Sequence, residues 1–183
     1  RSSALAGLER ASAPELGPRF ERWRMLGAAA DTTTGLWRGP ATAGRGDAGP
    51  AAPWVVIILG GIGTDERAAL LVPDSLPVGV LAVSWPWKDT RRMGRLEFLA
   101  RVPAMREALL RTPACIATGL EAVRRASPGA RVALLGASLG VPQTTAAAAI
   151  ARPDAMVLVD GAADLERLLR SEVARTVGGA GGA

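Results

Sequence analysis

Apolar residues gather along this chain into short unbroken runs, separated by glycine, proline and charged punctuation. Residues 54–59 read WVVIIL, 78–83 VGVLAV, 131–137 RVALLGA and 155–159 AMVLV. Aliphatic and β-branched runs of this length, bounded by turn residues, predict strands buried on both faces, as in a parallel sheet. Two further strand candidates, around 20–26 and 34–38, flank a turn at 28–33 and predict an antiparallel edge hairpin. Helical patterns fall between the runs. Thr64 reads as an N-cap with Asp65 and Glu66 in the first turn of a short helix ending at Leu71. Residues 96–110 have helical spacing broken at Pro103, and Thr112-Pro113 reads as a cap and first helical position opening a new helix to about 126. An alanine-rich helix follows residue 140, with Pro142 in its first turn, and residues 165–177 form an amphipathic pattern.

Strands alternating with helices predict an α/β fold: a mostly parallel sheet flanked by helices and joined by right-handed crossovers. In domain terms, residues 1–19 have no clear period and read as an irregular N-terminal segment. Residues 20–177 read as one domain, and the closing GGAGGA at 178–183 as a flexible tail. Residues 39–53 are a Gly/Pro/Ala loop. In parallel sheets ligands collect at the carboxyl ends of the strands. Gly60 to Gly63, Ser84 to Trp87, Ser138 and Asp160 all fall at such ends.

Candidate chemistry centres on Gly136-Ala137-Ser138-Leu139-Gly140, between a predicted strand and a predicted helix. A sharp strand-to-helix turn forces its middle residue into a strained conformation, and small flanking residues relieve the crowding. The Ser138 hydroxyl is then held above the sheet edge. In an Ala/Gly-rich chain the pentapeptide also arises by accident; its placement between strand and helix favours the functional reading.

On these residues the chain resembles the α/β-hydrolase superfamily, in particular serine esterases and dienelactone hydrolases, over most of 20–177. GASLG is similar to the family's nucleophile elbow and LGGIG at 59–63 to its oxyanion loop. The resemblance implies that Ser138 is the nucleophile and that the backbone N–H of Leu139, with that of Ile62 or Gly61, forms the oxyanion hole. Gly60 stands where the family commonly has histidine. The family's acid and histidine follow on loops after later strands, so the resemblance is to an N-terminal portion of the fold, truncated after the sixth strand. Asp160 is a weak candidate for the acid; an Asp closing a strand before glycine is also an ordinary turn. Trp85 and Trp87 either border an acyl pocket or pack beneath the loop after their strand.

Composition changes the picture in one respect above all: the 183 residues contain no histidine. A serine hydroxyl needs a base to take its proton, and histidine usually does so, so the chain taken alone reads as inactive. Hydrophobic residues at 49% and charged residues at 21% describe a globular chain. The +5 charge comes from dispersed arginines with a single lysine, and no basic block suggests nucleic acid. Cys115, the one cysteine, excludes an internal disulfide and a cysteine-based metal site, and reads as a small buried hydrophobe. No apolar run approaches the roughly 18 residues of a membrane span. No metal or cofactor is expected, the partner is a small acyl substrate, and the cytoplasm is the expected location.

Two other classes stay open. Gly61-Ile62-Gly63 after a strand imitates a dinucleotide-binding turn, but Glu66 occupies the third glycine's place and an acid there repels a pyrophosphate. A truncated hydrolase fold could also persist as a non-catalytic module, self-associating through an apolar edge at 155–159.

Overall fold

The computed structural model describes residues 5–27, 32–40, 52–61, 64–86 and 95–160. Strands β1 (Leu5–Ser12), β2 (Phe20–Gly27) and β3 (Thr32–Arg38) pair antiparallel in sequence. Strands β4 (Trp54–Leu59), β5 (Gly79–Val83), β6 (Arg131–Ala137) and β7 (Ala155–Val159) are mutually parallel. An antiparallel β3–β5 pairing joins the two sets into one seven-stranded sheet, ordered β1-β2-β3-β5-β4-β6-β7. The sheet is therefore mixed, antiparallel on one side and parallel on the other.

The runs that read as buried strands are buried. Every residue of β5 is buried, as are Val55, Ile57, Ile58 and Leu59 of β4 and Val132, Ala133 and Leu134 of β6. Strand β1 is the element that the sequence pattern left as an irregular segment at 1–19. Only Leu5 of its eight residues is buried, so neither alternation nor an apolar run marks it. Its backbone pairing with β2 holds it in place, aided by the Glu9–Arg24 ion pair at 3.1 Å and by the Leu5 N–H, which donates to the Glu121 carboxylate at 2.7 Å.

Chain direction across the sheet reverses at β4. From β4 the chain moves to β5 through a 3-10 segment, Asp65–Leu71, then back over β4 to β6 through α1 (Arg95–Ala126), and on to β7 through α2 (Gly140–Ala151). Right-handed crossovers in opposite directions must lie on opposite faces. Ala68 and Ala69 of the 3-10 segment accordingly pack with Leu36, Ile58, Val80 and Ala82 on one face. Ile116, Leu120 and Val123 of α1 and Ala147 of α2 pack with Ile57, Leu81, Val83 and Leu134 on the other.

Helix α1 corrects the sequence reading. It runs unbroken for 32 residues with Pro103 and Pro113 inside it, so Thr112 is not a cap. The buried Thr112 hydroxyl instead donates to the Ala108 carbonyl one turn back, at 2.9 Å. A helix-interior proline costs roughly 3 kcal/mol. Burial of the helix's second half against the sheet, with the ion pairs Glu97–Arg101, Glu107–Arg111 and Glu121–Arg125 at favourable spacing, offsets that cost. Cys115 is buried in this half, as its small apolar side chain suggests.

Helix α2 packs almost without clearance. Its buried stripe is Gly140, Val141, Thr144 and Ala147. A Cβ added at Gly140 would overlap the carbonyl oxygen of Leu59 and lie 3.3 Å from that of Gly60. A Cβ at Gly136 would stand 2.6 Å from the Thr144 hydroxyl. Backbone cannot yield as a flexible side chain can, so Gly140→Ala should destabilise by about 1–3 kcal/mol, the usual overpacking cost. A urea-unfolding midpoint unchanged from the parent chain would contradict this packing.

Candidate active site

The sheet order places two strand ends side by side. Strands β4 and β6 are parallel neighbours, with Leu59 opposite Gly136, so whatever follows each strand meets just above the sheet. After β6 the chain turns through Ser138 and Leu139 directly into α2. Ser138 has φ +52°, and its residue is exposed. A left-handed conformation is rare for a side chain without amide or carboxylate, and such strain concentrates at functional sites. Two hydrogen bonds maintain it: the Ser138 N–H donates to the Val159 carbonyl at 2.9 Å, and the Val141 N–H donates to the Ser138 carbonyl at 3.1 Å. The corner is thus tied to the end of β7 on one side and to α2 on the other.

Leu139 occupies the N-cap position of α2, with helical angles (φ −60°, ψ −21°) and no capping side chain. No acidic residue lies in the first turn. The first N–H groups of a helix have no partner within it, and the helix dipole makes that end a favourable place for negative charge. Beside it, after β4, Gly61 comes close to the serine: a Cβ added there would sit 3.2 Å from the Ser138 Cβ and 3.7 Å from its Oγ. A larger residue at 61 would crowd the hydroxyl. Ile62 and Trp87 lie outside the described residues.

Asp160 follows β7 with φ +49° and is exposed. The Ser138–Val159 hydrogen bond brings its backbone within one residue of the corner. Trp85 is not an open wall. Its side chain is buried in the same core cluster as Val83 and Leu59, and its indole N–H donates to the Gly60 carbonyl at 3.1 Å. The sequence also missed what Thr64 and Asp65 do. Thr64 stands at the N-cap position but caps nothing; its hydroxyl donates to the Gly61 carbonyl at 2.8 Å. Asp65, at φ +43°, accepts the backbone N–H of Trp85 at 3.0 Å. An Asp one residue after a Thr, following a glycine-rich loop, carries no signal of a reach across to the next strand.

Of the four non-glycine residues with positive φ among those described, three (Asp65, Ser138 and Asp160) follow the carboxyl ends of β4, β6 and β7. A hollow of about 280 Å³ lined by Phe20, Trp37, Arg19 and Pro40 opens instead at the far end of the sheet, where Arg38 pairs with Val80. No group of three or more His, Cys, Asp or Glu side chains among the described residues is placed to hold a metal, and no described helix is long and apolar enough to cross a membrane.

No family model and no curated protein matches this sequence. Solved structures do resemble it. A cold-adapted esterase from an Arctic intertidal metagenomic library superposes with a TM-score of 0.52 at 16% identity, over 85% of this chain and 64% of that one. Dienelactone hydrolase from Anabaena variabilis gives 0.53 at 13% identity, over 78% of this chain and 64% of that one. A puromycin-hydrolyzing peptidase from Mycobacterium tuberculosis gives 0.55 at 20% identity, over 87% of this chain and 26% of that one. The chain therefore spans less than two thirds of the length of each of these structures. Strand order, crossover arrangement and these likenesses agree that the fold of this chain is α/β-hydrolase-like.

Proposed function

We propose that this chain carries the nucleophile portion of a serine hydrolase acting on carboxylic ester or related acyl bonds, with Ser138 as nucleophile. The observation that carries this reading is an exposed serine at φ +52°, between a buried strand and a helix N-terminus, with Gly61 against it. The esterases and hydrolases of similar fold support it. In the proposed reaction the Ser138 Oγ bonds to the acyl carbon and its proton passes to a base. The carbonyl oxygen, now negative, is held by the N–H of Leu139 and that of Gly61 or Ile62. Donors of this kind act on charge as it develops, and losing one typically costs roughly a hundred- to a thousandfold in rate. The carbonyl then re-forms as the bond to the alcohol oxygen breaks, that oxygen takes the proton from the base, and an acyl-serine remains.

These 183 residues contain no histidine, so the proposal places the general base outside them. Asp160 is the nearest weak candidate for the acid. Oxyanion donors and binding alone retain roughly a thousand- to ten-thousandfold acceleration over water in serine proteases stripped of triad members. A fluorophosphonate probe should therefore modify the chain slowly at Ser138, and Ser138→Ala should abolish the modification. With an activated p-nitrophenyl ester, release should stop near one equivalent per chain, because deacylation also needs a base to activate water. Peptide mapping that finds the label elsewhere, or equal labelling of the Ala variant, contradicts the reading.

The edge of the sheet supports a second, independent proposal, that the chain self-associates. Among the described residues β7 has β6 as its only strand neighbour, and Met156, Val157, Leu158 and Val159 are 42–47% exposed. An unpaired apolar edge invites another strand. Sedimentation should show concentration-dependent association that Val157→Lys reduces; a monodisperse monomer at all concentrations contradicts it.

A further inference from the structure

We infer that Trp85 and Asp65 are positioning residues that aim the Gly61 N–H at the space above Ser138, an inference that rests on the serine-hydrolase reading proposed for this site. One peptide, linking Gly60 and Gly61, joins the two groups concerned. In a trans peptide the C=O and N–H point in opposite directions across one rigid plane, and no cis bond occurs among the described residues. Whatever holds the Gly60 carbonyl therefore also sets the direction of the Gly61 N–H.

The Gly60 carbonyl is held by the indole N–H of Trp85, at 3.1 Å and buried. Trp85 follows β5, which lies beside β4 on the side away from β6. Ser138 follows β6, on the other side. Drawing the carbonyl toward β5 turns the N–H toward β6 and the serine. The close approach of Gly61 to Ser138 is consistent with that direction. The second half of Gly61 is also restrained, because its carbonyl accepts both the Thr64 hydroxyl at 2.8 Å and the Thr64 N–H at 3.2 Å.

The indole can serve this purpose only if its own backbone is fixed. Asp65 supplies that restraint, its carboxylate accepting the Trp85 backbone N–H at 3.0 Å. Asp65 reaches across from the segment after β4 in a left-handed conformation, φ +43°. Such strain persists where surrounding contacts over-determine it. The two loops are thus cross-tied: Asp65, from the loop after β4, holds the backbone of Trp85, and Trp85, after β5, holds a carbonyl of the β4 loop. A bulky apolar residue at 85 would fill the same core space without supplying the N–H. A buried indole N–H needs an acceptor in any case; here that acceptor belongs to the peptide that carries the Gly61 N–H.

The test compares phosphonylation of Ser138 by a fluorophosphonate in the parent chain, Trp85→Phe, Asp65→Ala and Asp65→Asn, over a range of probe concentrations. Trp85→Phe keeps the ring and removes the donor, so the saturating rate should fall roughly ten- to a hundredfold, part of the loss expected for a missing donor, while the half-saturating concentration stays the same. Asp65→Ala should behave likewise. Asp65→Asn, which keeps an acceptor, should stay near the parent rate. A Trp85→Phe chain that is folded by circular dichroism and labelled at the parent's saturating rate overturns the inference, as does a change confined to the half-saturating concentration. If the parent chain is not labelled at all, the serine-hydrolase reading fails. The positioning claim is then decided by crystal structures: a Gly60–Gly61 peptide rotated in Trp85→Phe supports it, and a plane unchanged in both Trp85→Phe and Asp65→Ala overturns it.

Discussion

Everything at the carboxyl end of this sheet depends on how closely the first turn of α2 is set against the last residue of β4. Gly140 rests on the Leu59 carbonyl with no room for a Cβ, and Gly136 leaves the space that Thr144 fills. Interiors packed at this density transmit rather than absorb displacement. The chain leaving β6 must therefore bend within two residues to enter α2, and the residue at the bend, Ser138, takes the strain at φ +52°. The same closeness sets the end of β4, and with it Gly60 and Gly61, beside the serine. Strained hydroxyl and neighbouring amide thus have one cause, the register of Leu59 opposite Gly136 under a helix that starts with glycine.

The topology explains why that convergence falls where it does. At β4 the chain reverses its direction across the sheet, so the connections on either side leave on opposite faces, and in parallel sheets it is outside the carboxyl ends at such a reversal that ligands bind. The segment Asp65–Leu71 packs on one face and α1 with α2 on the other. The antiparallel strands β1 to β3 lie on the β5 side of the sheet, away from β6. They extend the sheet and complete the core, where Trp23 stacks on Trp37 with ring centres 4.4 Å apart and Arg38 is buried with its guanidinium bonded to the Val72 carbonyl and paired with Asp74.

The parallel half of the sheet was legible because burial on both faces leaves a run of aliphatic residues that needs no partner to be recognised. WVVIIL and AMVLV became β4 and β7 with the expected bounds, and the hairpin at 20–38 appeared as β2 and β3. What stayed hidden is held by long-range contacts. Strand β1 has one buried residue and owes its existence to pairing with β2. Pro103 and Pro113 read as breaks because local propensity disfavours them, whereas packing of residues 112–123 on the sheet sustains a single helix. At the site, GASLG was visible as spacing, and the corner has the expected strain. The link from Asp65 to Trp85 to Gly60 was not visible, since it joins loops 20 and 25 residues apart in sequence through one backbone N–H and one indole. Thr64 has the type and position of a cap, yet its hydroxyl turns back to Gly61.

The most direct test of the account is a crystal structure of the chain with a phosphonyl group on Ser138. The phosphonyl oxygen should accept the backbone N–H groups of Leu139 and of Gly61 or Ile62 at ordinary hydrogen-bond distances, about 2.7–3.1 Å. A phosphonyl oxygen directed into solvent, with those amides bonded to protein carbonyls instead, would contradict it.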